Sequence, residues 1–120
     1  MMKFQSTEHL STTERLKVVT KEIIKEYPNL NDDDILKIVG LCDIVFDKIT
    51  EDVIFRRYYY MLLVIKDDKE NFDIIYKDMK KYCNEGIKDK LNRYLYADIE
   101  RYINGEIESF PMISDYYGDE

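Results

Sequence analysis

At 120 residues the chain is long enough for one domain and too short for two, and 45% hydrophobic with 36% charged residues is the balance of a folded chain. A net charge of −7 and a pI near 4.8 argue against general binding to nucleic-acid phosphates or anionic membranes, and suit docking to a basic partner. Cys42 and Cys83 stand far apart with no CxxC, so no disulfide framework is implied and reduced thiols are expected.

The first segment, MMKFQSTEHL, is polar with no apolar h-region, so residues 1–10 read as an N-terminal arm and not a signal peptide. Ser11-Thr-Thr-Glu14 fits a capping box and opens a helix that should end near Tyr27, before Pro28. Asn31-Asp-Asp-Asp34 offers a cap and acids for the positive end of a second helix. Its apolar stripe is Ile35, Val39, Cys42, Phe46 and Ile49, interrupted weakly by Gly40. Thr50-Glu-Asp can cap a third helix over 51–66, and Asp68 a fourth with the stripe Phe72, Ile75, Tyr76, Met79, Tyr82 and Cys83. Asn84 to Gly86 reads as a break. A fifth helix is expected from about Ile87 to Ile103, with Asn104-Gly105 as its stop. No stretch is a convincing strand. The expected fold is all-α: a bundle of about five helices over 11–105, followed by an acidic, aromatic segment over 106–120.

The third helix is the unusual one. FRRYYYMLLVIKDD, Phe55 to Asp68, looks at first like a basic-aromatic binding strip. On a helix, at ~100° per residue, its three tyrosines point in three directions and Arg56 and Arg57 diverge. A single-strand groove needs aligned aromatics on a basic track, which one face of this segment does not supply. Ile54, Tyr58, Met61 and Ile65 gather on one face, with Leu62 and Val64 beside them and Phe55 and Leu63 further round. A helix apolar nearly all the way round is enclosed by others, so this is the expected central helix. Arg57 falls beside its apolar stripe. Asp98 falls among Ile87, Leu91, Tyr94 and Tyr102 on the fifth helix, and two readings stand side by side: a structural Arg57–Asp98 ion pair, or each charge snorkelling to the rim from its helix edge.

Catalytic signatures are sparse. Gly40, Gly86, Gly105 and Gly118 are isolated, so neither a P-loop nor a dinucleotide fingerprint is present. His9 is the single histidine, and Glu-x-x-His and zinc-ligand spacings are missing. An EF-hand started at Asp67 would put Lys69 at a ligand position and Phe72 where glycine is needed. Asp32 to Asp34 read as a helix start. No metal or cofactor is expected, nor catalysis; an enzyme with a carboxylate-based site is the third-ranked reading.

Two surfaces remain. Lys77, Lys80, Lys81, Lys88, Lys90 and Arg93 form a basic region interleaved with Asp73, Asp78, Glu85 and Asp89, the pattern of a solvated face. It carries the second-ranked reading, a nucleic-acid-binding regulator. The C-terminal segment joins Phe110, Ile113, Tyr116 and Tyr117 to Asp115, Asp119 and Glu120, a mixture of aromatic anchors and steering charges. The ordinary alternative is that Phe110 and Ile113 fold back onto the bundle. The leading reading is a small non-catalytic protein–protein interaction module (an adaptor, assembly factor or inhibitor), with the C-terminal segment as its contact. Removing 106–120 would then weaken partner binding and leave the fold intact. A cytoplasmic setting is expected, because the longest strictly apolar run, Met61 to Ile65, is far short of the ~20 residues that span a bilayer. Homo-oligomerisation stays open. The single alanine, Ala97, and the abundance of Ile, Lys, Asp and Tyr suggest an AT-rich genome, viral or phage included.

Overall fold

A computed structural model describes residues 11–41, 50–83 and 86–116, and among them five α-helices and a 3₁₀ turn form an all-α bundle without strands. Local capping chemistry sets most of the boundaries. In α1 (Thr12–Glu26) the Ser11 Oγ accepts the Glu14 amide at 3.3 Å while the Glu14 carboxylate accepts the Ser11 amide, so the capping box closes. The helix ends at Tyr27, one residue before the proline. Asn31 Oδ1 accepts the Asp34 amide at 2.8 Å and starts α2 (Asp32–Leu41), which buries Ile35 and Ile38. The stripe residues Cys42, Phe46 and Ile49 lie outside the described residues. Thr50 caps α3 (Glu51–Ile65) and Asp68 caps α4 (Lys69–Tyr82).

The fifth helix starts later than expected. Asp89, not a residue near Ile87, is its N-cap, and α5 runs Lys90–Ile103. The reason lies in another helix: the Lys88 and Asp89 amides donate to the Asp52 carboxylate at 3.0 and 3.1 Å, which keeps 86–89 out of the helix. At the far end of α5 the Gly105 amide donates to the Tyr102 carbonyl and the Glu106 amide to the Arg101 carbonyl. This is a Schellman closure, and Gly105 adopts the left-handed φ of 78° that it requires.

The helix α3 is central. Ten of its fifteen residues are buried, and α2, α4 and α5 all pack on it, while α1 packs on α2. Phe55 and the unbroken run Tyr58 to Leu62 are buried, so the tyrosines are part of the core. Removing one such side chain from water contributes about 1.5–3 kcal/mol, which makes α3 the largest single source of core stability. The tail is part of this core. Residues 106–112 turn back from α5, Phe110 is 4% exposed, and the 3₁₀ turn Ile113–Tyr116 closes the described chain. The division at residue 105 therefore does not separate a bundle from a loose end.

Candidate functional site

The C-terminal contact expected from sequence is directed inward. Phe110 packs against Tyr59 and Tyr102, each with ring centres 5.6 Å away, and meets Phe72 edge-on at 6.2 Å. Tyr59 ties the same segment from the core: its hydroxyl donates to the Pro111 carbonyl at 2.8 Å and accepts the Ile113 amide at 3.2 Å. Burial raises the Tyr59 phenol to about 12, even though the Ile113 amide favours its ionised form. Ile113 is half-buried against the core. Tyr116 stacks on Tyr94 and donates its hydroxyl to Asp98; burial, then that bond and charge, push its phenol well up. Asp115 is exposed and accepts the Met112 amide at 3.4 Å. The remaining members of the expected contact, Tyr117, Asp119 and Glu120, lie outside the described residues. Phe110 is thus part of the core, its ring docked on three aromatic neighbours.

The expected Arg57–Asp98 pair does not form. Arg57 is 7% exposed and donates to Glu22 of α1 at 3.5 Å. Asp98 receives Tyr116 and lies 3.5 Å from Arg101. Helix rotation explains the miss. Arg56 Nε donates to Asn92 Oδ1 of α5 at 2.9 Å, so Arg56 is the residue that faces α5. Arg57 is turned ~100° from it, toward α1.

A polar junction that sequence reading missed lies at the start of α3. Asp52 accepts the Lys88 and Asp89 amides and the Asn92 side-chain amide, while Arg56 holds the other end of Asn92 and also donates to the Tyr60 hydroxyl. Burial alone would raise the Asp52 carboxyl, but the three donors and the Lys88 ammonium together hold it below its usual range. Glu51 accepts the Gly86 amide at 2.6 Å, and a Cβ at residue 86 would fall 2.4 Å from the Glu51 carboxyl carbon. Beside it Cys83 is fully buried, and burial, then Glu51 and Asp52, raise its thiol to about 12. Such a thiol is a packing group and not a nucleophile. The only sequence signal was Thr50-Glu-Asp, legible as a helix start but silent about a second loop. The junction binds the chain to itself, linking the start of α3 to the stretch before α5 and to α5.

The basic region is divided between α4, α5 and the stretch before α5. Lys77 pairs with Asp73 at 3.0 Å, with both side chains well exposed. Lys80, Lys81 and Lys90 lie over the rings of Tyr76, Tyr82 and Tyr94 at 5.4–5.7 Å. Lys88 and Arg93 are exposed. Among the described residues no three His, Cys, Asp or Glu side chains group as metal ligands, and no helix is long and apolar enough to cross a membrane.

One concave feature among the described residues lies elsewhere, at the joint between the α3–α4 turn, α4 and the end of α5. It is an open groove of about 550 Å³. Phe72, Tyr102, Ile103 and Ile107 form its apolar floor, and Lys66, Lys69, Asp73 and Glu108 its charged rim. Phe72 and Tyr102 are braced from behind by Phe110. Ile103 is 39% exposed, and neither it nor Ile107 joins the packed core. Sequence periodicity assigned Phe72 to the core stripe and had no means of placing Ile107 beside it, since that contact requires the tail to turn back. No family model, curated protein or solved structure matches this chain.

Proposed function

We propose that this chain is a small non-catalytic protein–protein interaction module, of the adaptor, assembly-factor or inhibitor kind, and that its contact surface is the groove floored by Phe72, Tyr102, Ile103 and Ile107. The observation that carries the proposal is that groove: a preformed apolar recess braced by the Phe110 cluster, with Ile103 and Ile107 left outside the core. Its volume lies within the ~300–1,000 Å³ range of clefts that take a few side chains of a ligand. A floor held by packed aromatics costs a partner little ordering, so burial of its apolar atoms is returned as affinity. Phe110 supports the module by bracing this recess from behind.

The test is co-purification from native cells with the full chain and with Ile103→Ser/Ile107→Ser. Both side chains stand outside the core cluster, so the variant keeps its circular dichroism and melting behaviour. A polypeptide held in stoichiometric amount by the wild type and lost from the variant is the expected result. Retention of that polypeptide by the variant would refute the groove, and the lack of any stoichiometric polypeptide would refute the module.

A further inference from the structure

We propose that Asn104 and Gly105 form a self-modifying joint: the Gly105 amide nitrogen attacks the Asn104 side chain, leaving aspartate or isoaspartate where α5 meets the tail. Such a reaction needs an asparagine side chain free to turn and a following amide that nothing shields. Residue 104 has both. It is exposed, and among the described residues no hydrogen bond holds its side-chain amide. Gly105 is exposed as well, and no described atom beyond its chain neighbours lies within 4 Å of where a Cβ would sit, so its nitrogen is open to approach. The other described asparagines are held or shielded. Asn31 Oδ1 accepts the Asp34 amide, Asn71 donates to Asp68, and Asn92 is buried between Asp52 and Arg56. Asn29 is exposed, but the branched, buried Leu30 follows it. No other asparagine in the sequence precedes glycine. The glycine stands there for a structural reason, because the helix stop requires a left-handed φ of 78°. The signal that ends α5 thus creates the reactive pair.

In the first step the Gly105 nitrogen bonds to Asn104 Cγ and the Cγ–Nδ2 bond breaks. The amide proton leaves with Nδ2 as ammonia, and a five-membered succinimide closes. Water then opens either of the ring's carbonyl–nitrogen bonds. Opening at Cγ leaves aspartate on an unaltered main chain, and opening at the backbone carbonyl leaves isoaspartate, with the main chain rerouted through Cβ and Cγ. Both products put a new carboxylate at the negative end of the α5 dipole. The fold brakes the reaction. Asn104 has a ψ of 0°, and ring closure requires that angle to rotate until nitrogen meets Cγ. The bonds from the Gly105 amide to the Tyr102 carbonyl and from the Glu106 amide to the Arg101 carbonyl must open first. They lie at a helix end, where opening costs little.

The full chain is kept folded in mildly alkaline buffer and followed by intact mass and peptide mapping. Asn104 should convert at least about tenfold faster than any other asparagine, to a mixture of aspartate and isoaspartate. Asn104→Gln should abolish the mass gain on that timescale. Gly105→Ala should slow it about tenfold by shielding the nitrogen, although the strained φ loosens the same helix end. A rate as high in Gly105→Ala as in the wild type would assign the gain to fraying alone and overturn the proposal. So would aspartate as the sole product, since direct hydrolysis makes no isoaspartate. Equal conversion of Asn29, or an unreacted Asn104 in the folded chain once the urea-unfolded chain has converted, would overturn it from the wild type alone. The chemistry stands apart from the interaction-module reading, since it is read by mass and not by partner binding.

Discussion

Phe110→Ala separates a docked tail from a free one. The ring is 4% exposed and meets Tyr59, Tyr102 and Phe72 at centre distances of 5.6, 5.6 and 6.2 Å. Buried phenylalanine to alanine costs about 3–5 kcal/mol where the cavity cannot collapse. Here the tail can lift off instead of leaving a void, so the cost is limited to its docking energy and should fall near the lower figure, ~3 kcal/mol. At about 4 °C per kcal/mol for a chain of this size, the melting temperature should drop by ~12 °C. Urea denaturation followed by circular dichroism should show a lower midpoint, and near-ultraviolet signal should fall before the helices melt. Tyr59→Phe leaves the Pro111 carbonyl and Ile113 amide without their hydroxyl partner, at a cost of about 1–2 kcal/mol. The double variant should cost less than the sum, since both changes release one strap. A loss under ~0.5 kcal/mol for Phe110→Ala, the range of ordinary surface substitutions, would refute the docked tail. The same structure predicts that removing 106–120 destabilises the bundle, opposite to what a free segment would do.

Gly105→Ala should cost about 1 kcal/mol, because its φ of 78° is strained for any residue with a Cβ, and Gly105→Asn should cost less; thermal melts of the two variants check the order. Asp52 has a depressed carboxyl, so its contribution is present above the unfolded carboxylate range near pH 4 and is lost as pH falls through the folded value. Asp52→Asn should therefore flatten the acid side of the stability–pH profile measured by urea midpoints, and an unchanged acid limb would contradict the junction. Cys83, in a Cys42→Ser background, should resist a thiol reagent at pH 8 until the chain unfolds, since burial raises its thiol to about 12. In an alkaline absorbance titration Tyr59 and Tyr96, both raised to about 12, should ionise after the exposed phenols, and stability should decline as pH rises past the unfolded value near 10.

Groups a few residues apart were legible in the sequence. The caps at Ser11, Asn31, Thr50 and Asp68, the stop at Gly105 and the enclosed character of α3 all follow from atoms within four positions of one another or from a single helix's periodicity. Asp89 was the cap that escaped, because its role depends on Asp52, which lies 37 positions earlier in the chain and takes the preceding amides. Arg57 shows where periodicity stops, since it fixes a residue's direction only relative to its own helix. Which neighbour occupies that direction is set by how the helices rotate to bury their apolar faces, and that rotation gave Arg57 to Glu22 and Asp98 to Tyr116. The tail shows the same limit. Its aromatics announced that something would bury them, and composition could not distinguish a partner's surface from the chain's own. Tertiary packing decided it, because Tyr59, Phe72 and Tyr102 converge on a site that accepts Phe110. Ile103, exposed, and Ile107, half-buried, are left beside that site, and the recess they line exists only because three separate segments are brought together.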